Sequence, residues 1–277
     1  MVQFESKWLK CRSTPDVTVN PSARIFCFPW AGGNASPYVS WGNDDTLKAT
    51  GIEVWTVEYP ARLTRIREEM CETMEELVDS IVQSIHALLD ASSYTPIMFY
   101  GHSMGGTVSY EVALQLRQVP HVLFLAAAAS PIISPEHIQG YVPWKNMSHD
   151  DAIDRLRRLG GTPEEVLSNT ELMEVMLPAI RADFDLLNYY RLAMSQKENI
   201  RQVKSPCKGV LLCGTNDKVV PMEKIKGWHG LFNPKLSDSE AESVKQPLDT
   251  HIIEGSHFFI TKVPARMTVM KILVEYL

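Results

Sequence analysis

Three side chains, far apart along the chain, have the types and spacing to activate a serine. Ser103 lies in Gly101-His102-Ser103-Met104-Gly105, a G-x-S-x-G pattern set between an apolar run and a helical one. A serine hydroxyl is a weak nucleophile until a base takes its proton and its oxygen stands clear of the backbone. A sharp strand-to-helix turn presents it, with strain at the serine itself. Glycines two positions either side let strand and helix approach closely. The Met104 amide, at the helix start, then points to where an oxyanion would form.

Downstream, Asp217 ends Gly214-Thr215-Asn216-Asp217, just past the apolar run 210–213, and His257 lies in Glu254-Gly255-Ser256-His257-Phe258-Phe259, after the short run 251–253. The order is nucleophile, acid, base. His257 would accept the Ser103 proton, and Asp217 would hold the imidazole tautomer and stabilise its cation. The other histidines fit less well. His102 lies inside the turn and supports it, His86 is on a helix, His121 and His251 belong to strands, and His137, His149 and His229 have no strand-end context. Among other acids, Asp44 and Asp45 fall in an early loop, and Asp183 and Asp185 in a helical insertion. A second oxyanion donor is expected in Pro29-Trp30-Ala31-Gly32-Gly33-Asn34, from the amide of Ala31 or, alternatively, of Trp30.

These residues need a frame that brings loop ends together. Apolar runs at 24–28, 52–57, 96–100, 122–127 and 210–213, with the short 251–253, read as strands. Met74, Leu77, Val78, Ile81, Ile85, Leu88 and Leu89 recur at helical spacing over 72–90, another helix follows Ser103, and a C-terminal helix carries Val269, Ile272, Leu273 and Tyr276. Strands alternating with helices imply a mainly parallel sheet covered on both faces. Together with the Ser, Asp, His order this predicts an α/β-hydrolase fold in a single domain over 1–277. From about 132 to 202 the alternation stops. Helices are predicted at 150–159, after Thr162 as N-cap with Pro163 in the first helical position, and at 171–195, kinked or restarted at Pro178. An all-helical insertion there reads as a lid. Of its apolar residues Met176, Ile180 and Phe184, with Trp30 from the early loop, are the candidate lining of an acyl groove. Residues 1–22 read as an irregular entry, and 233–249 as a polar, mobile loop.

A net charge of −6 argues against nucleic acid as the main partner. Five cysteines without a C-x-x-C pair make a disulfide framework or zinc site unexpected. The polar N-terminus lacks a signal-peptide core, and the longest apolar run, 122–129, is too short to span a bilayer. A reducing, cytoplasmic setting is the expectation.

The segments Phe28-Pro-Trp-Ala-Gly-Gly33, Gly101-His-Ser-Met-Gly-Gly106, Leu159-Gly-Gly-Thr-Pro163, Ile180-Arg-Ala-Asp183 and Gly255-Ser-His-Phe-Phe259 together resemble the type II thioesterases, discrete partners of fatty acid, polyketide and nonribosomal peptide synthases. The Phe-Pro-Trp opening and Ser40-Trp41-Gly42 look closest to the animal medium-chain fatty acyl branch. The resemblance covers roughly residues 24–275. It carries the serine role to Ser103, the acid to Asp217 and the base to His257. It implies hydrolysis of acyl groups held as thioesters on the phosphopantetheine arm of an acyl carrier protein. No metal or other cofactor is then expected, since the pantetheine arrives on the partner. Carrier proteins are acidic, which makes Arg62, Arg65 and Arg67 candidate docking residues. Ala61 stands where the family usually has glycine, and the 233–249 stretch is longer than usual. A carboxylester hydrolase or lipase, and a catalytically dead carrier-binding module, are the alternatives; the insertion motifs disfavour the first and the intact Ser, His, Asp set the second.

Overall fold

The computed structural model describes residues 4–132, 141–160, 162–196, 207–232 and 248–277, with only the backbone at 15 and 16. Seven strands form one sheet: β1 (Leu9–Cys11), β2 (Ala23–Phe28), β3 (Ile52–Val57), β4 (Ile97–His102), β5 (Val122–Ala126), β6 (Lys208–Gly214) and β7 (Asp249–Ile253). The spatial order is β1-β3-β2-β4-β5-β6-β7. All neighbours run parallel except β1, which lies antiparallel on β3 with Leu9 opposite Val57. This is the sheet of an α/β-hydrolase fold.

The central strands are apolar along their whole length because both faces are covered. β2, β3, β4 and β5 are buried at every position. Phe26, Phe28 and Phe99 point to one side, against α4 (Met74–Asp90) and α5 (Met104–Gln115). Ile25, Cys27, Met98 and Tyr100 point to the other, against α3 (Asp45–Thr50) and α10 (Val263–Val274). The Thr73 hydroxyl starts α4 by accepting the Glu76 amide. Short helices α1 (Pro15–Thr18), α2 (Ser36–Val39) and α9 (His229–Phe232) fill the connections.

The entry segment is more ordered than predicted. Residues 9–11 form edge strand β1, too short for periodicity to reveal, and Leu9 is its one fully buried residue.

Between β5 and β6 come α6 (His149–Leu159), α7 (Glu164–Leu167) and α8 (Thr170–Ser195). They carry their own apolar cluster of Trp144, Ile153, Leu156, Met173, Leu177 and Ile180. Two expectations are corrected here. Pro163 is itself the N-cap of α7, one residue later than the Thr162 cap predicted. The chain does not restart at Pro178: α8 runs through it for 26 residues. A proline costs a helix one N–H bond, but α8 is clamped on both sides of it. Met173 and Leu177 pack in the lid cluster, and Leu186 and Leu187 in the main core. Residues 233–247 of the predicted loop, and 133–140 and 197–202 of the predicted insertion, lie outside the described residues.

Candidate active site

The order of the sheet reverses between β2 and β4, and the loops that leave the carboxyl ends of its strands meet at that edge. Ser103 follows β4 there, with φ 54° and ψ −116°. This is the strained backbone that a tight strand-to-helix turn imposes on the residue at its tip. Its amide donates to the Ala126 carbonyl at the end of β5 (2.8 Å), and its carbonyl accepts from Gly106 (3.0 Å). The flanking glycines have a steric reason. A Cβ on Gly101 would lie 2.3 Å from the Gly105 carbonyl oxygen, and one on Gly105 would lie 2.1 Å from that of Phe28. No larger residue fits either place. The same approach sets the end of β2, and so the Trp30–Ala31 turn, against the start of α5.

Asp217 and His257, forty residues apart, are brought together by the loops after β6 and β7. The Asn216 amide donates to the Gly255 carbonyl (2.9 Å), the Gly255 amide to the Thr215 hydroxyl (3.1 Å), and Thr215 to the Ile253 carbonyl (2.9 Å). On that lacing, His257 Nδ1 stands 2.8 Å from Asp217 Oδ2. A carboxylate only accepts, so Nδ1 carries the proton and Nε2 keeps its lone pair, the tautomer a general base requires. Asp217 Oδ1 accepts the amides of Val219 (2.8 Å) and Val220 (2.9 Å). Burial alone would raise the Asp217 pKa, but the imidazole and these two amides outweigh it and hold the carboxyl below its ordinary value. Both side chains are almost fully enclosed, at 3% and 5% exposure.

His102 supplies a second hold on the base. Fully buried, it places Nε2 2.9 Å from the His257 carbonyl oxygen. That oxygen cannot donate, so His102 carries its proton on Nε2. Burial first, and the neighbouring His257 second, push its pKa down to about 3, so the ring stays neutral. The residue next to Ser103 thereby anchors the backbone of His257. Trp30 packs on this ring (centroids 5.3 Å) and on Phe258 (5.0 Å), forming one wall of the site.

Of the early loop, the Gly32 amide donates to Asp183 Oδ2 (2.7 Å) and the Gly33 amide to the Trp30 carbonyl (2.8 Å). Among the described residues, no hydrogen bond takes up the amides of Trp30, Ala31 or Met104.

The remaining predicted residues divide. Ile180 lies directly over Gly32, at the site. Phe184 stacks face to face on Trp144 (4.5 Å, 12°), and Met176 borders the lid cluster, so both pack within the lid. Two docking expectations are corrected. Arg62 is buried, with both Asp183 oxygens and the Gly33 and Pro60 carbonyls as partners. Arg65 is buried too, stacked on Trp8 (4.0 Å) and bonded to Glu58 and Glu68. Each guanidinium is consumed by internal acceptors and cannot offer its charge to a partner. Arg67 alone of the three is exposed. The Arg62–Asp183 pair was missed in the sequence, although an acid amid the apolar stripe of Ile180, Phe184 and Leu187 signals a buried partner.

A serine in a strained turn, a carboxylate-held imidazole and free amides at the carboxyl edge of a parallel sheet define an α/β-hydrolase of the serine type. The chain belongs to the thioesterase family, whose domain model matches residues 23–273. It is 30% identical over 251 residues to the gramicidin S biosynthesis protein GrsT of Aneurinibacillus migulanus, covering 88% of this chain and 86% of that one. It is also 30% identical over 227 residues to the medium-chain S-acyl fatty acid synthase thioesterase of Homo sapiens, covering 75% and 76%. Among solved structures it shares the fold of BorB, the type II thioesterase of the borrelidin cluster (TM-score 0.73, 24% identity, 99% of each chain). It shares that fold also with RedJ of Streptomyces coelicolor (TM-score 0.74, 23% identity, 94% and 92%). No helix among the described residues is long and apolar enough to cross a membrane.

Proposed function

We propose that this enzyme hydrolyses acyl thioesters on the phosphopantetheine arm of an acyl carrier protein, in a fatty acid, polyketide or nonribosomal peptide pathway of the cytoplasm. The observation that carries the reading is the Asp217–His257 pair (2.8 Å), its backbone pinned by the residue beside a serine at φ 54°. The substrate class draws support from the relatives named above, a gramicidin S biosynthesis protein and a fatty acid synthase thioesterase.

In the proposed mechanism, Ser103 Oγ attacks the thioester carbonyl carbon as His257 Nε2 takes its proton. The charge that develops on the carbonyl oxygen is met by the Met104 and Ala31 amides. The tetrahedral intermediate collapses, the C–S bond breaks, and the imidazolium returns its proton to the departing pantetheine sulfur. Water, deprotonated by His257, then attacks the acyl-serine, releasing the acid and regenerating Ser103. Asp217 keeps Nδ1 protonated and balances the imidazolium.

The test is hydrolysis of acyl-carrier-protein thioesters across chain lengths, beside matched oxyesters. The reading predicts preference for the thioester and loss of turnover in Ser103→Ala. Equal or better turnover of simple oxyesters moves the assignment to a carboxylester hydrolase, and undiminished turnover in Ser103→Ala removes the mechanism.

A further inference from the structure

Three ionic side chains follow one another at alternate positions of α8, and they do not serve the same segment. Arg181 reaches the carbonyls of Trp144, Met147 and Ser148. Asp185 accepts the amides of Trp144 (2.7 Å) and Lys145 (3.0 Å). Both hold the lid to itself. Asp183, between them, holds the sheet edge instead. Its Oδ2 accepts the Gly32 amide (2.7 Å), and its two oxygens receive Arg62 Nη1 (2.7 Å) and Nη2 (3.0 Å). Arg62 Nη1 also reaches the Gly33 carbonyl (3.2 Å). The ion pair is enclosed, with the two side chains 9% and 7% exposed.

What this pair grips is a tight four-residue turn. The Gly33 amide bonds the Trp30 carbonyl (2.8 Å), and Gly32 has φ +70° while Ala31 does not have a positive φ. That pattern is a type II turn, which differs from type I by a flip of the central peptide, here Ala31–Gly32. The N–H of that peptide is the one Asp183 takes. Flipped, the peptide would set the Ala31 carbonyl against the carboxylate, two acceptors facing each other in a dry site. Ile180, three residues before Asp183, closes the turn from above: a Cβ on Gly32 would lie 2.2 Å from Ile180 Cγ1. Helix α8 therefore selects the turn's shape at two points.

We propose that Asp183 is a positioning residue for acyl transfer: from the lid helix, it anchors the Trp30–Gly33 turn through the Gly32 amide and so holds in place the preceding peptide, Trp30–Ala31, whose N–H is the Ala31 amide at the reacting carbonyl. This rests on the assignment of Ala31 as an oxyanion donor above. It makes the lid part of the catalytic apparatus, since a displaced α8 releases the turn.

Removing one charge of the pair strands the other, so the test uses matched double variants lacking both. Arg62→Met with Asp183→Asn keeps an acceptor for the Gly32 amide; Arg62→Met with Asp183→Leu does not. The inference predicts roughly 30-fold or more lower kcat in the second, with KM within about threefold, on acyl-pantetheine thioesters. A second comparison leaves the ion pair intact. Gly32→Ala with Ile180→Ala, which makes room for the added methyl but penalises φ +70°, is expected to lose kcat in the same direction, by a smaller factor, against Ile180→Ala alone. Equal kcat within either comparison, in variants that fold by circular dichroism, overturns the inference while leaving the wild-type activity and the proposed function standing. A wild-type enzyme that fails to hydrolyse the thioester removes both.

Discussion

The sheet edge and the lid solve the same problem, holding a few side chains in place, by different means. At the edge, Ser103, Asp217 and His257 follow strands whose neighbours are paired by backbone hydrogen bonds. The loops beyond are laced to one another, again through main-chain groups. Among the described residues, the lid has no ladder. Its cluster is small, and its polar attachments are side chains on α8, of which Asp183 reaches the Trp30–Gly33 turn and Arg62. Substitutions at the edge should therefore cost activity while the fold survives. Substitutions at the lid attachment should cost stability and activity together.

The largest effect is expected at the edge. Asp217→Asn retains the shape of the carboxylate but favours the wrong His257 tautomer, and kcat should fall by about 10⁴. Steady-state kinetics on the folded variant check this; a loss under tenfold would not fit. At the lid attachment, Arg62→Met leaves Asp183 enclosed without its counter-charge. Destabilisation of about 3–5 kcal/mol in urea unfolding is expected, and a loss below about 1 kcal/mol would show the pair to be relaxed by water.

The acid limb of stability sharpens the contrast. The Asp217 carboxyl is held below its ordinary 3.8 in the folded enzyme, so the unfolded chain binds its proton more readily. That contribution is complete above the unfolded value and is lost as pH falls through 3.8 towards the folded one. Asp217→Asn should flatten the fall in melting temperature over that interval, and an unaltered slope would remove the contribution. The smallest effect concerns Ala61, which has φ 63°, a conformation that favours glycine. Ala61→Gly should relieve about 1 kcal/mol of strain, partly offset by the flexibility glycine adds to the unfolded chain. A slight rise in melting temperature is expected; a fall would mean the methyl packs favourably.

The edge was legible in the sequence and the lid only partly so, for physical reasons. Strands buried on both faces write continuous apolar runs, and a turn that tolerates no Cβ writes glycines at fixed offsets from Ser103. Such signals are local. Strand β1 left none, because a three-residue edge strand shows no period. Pro178 signalled a break that packing on either side overrode. Arg62 and Arg65 misled because charge in a loop reads as surface, while their burial depends on Asp183, Trp8 and Glu58, distant in sequence.

The central claim is that Ser103 becomes the acylated nucleophile through an imidazole held by Asp217. Intact-mass measurement after brief exposure to a fluorophosphonate, followed by peptide mapping, tests it most directly. The account predicts one adduct, on Ser103, absent from Ser103→Ala and formed far more slowly in Asp217→Asn. No adduct, an adduct on another residue, or labelling at the same rate in Asp217→Asn would contradict it.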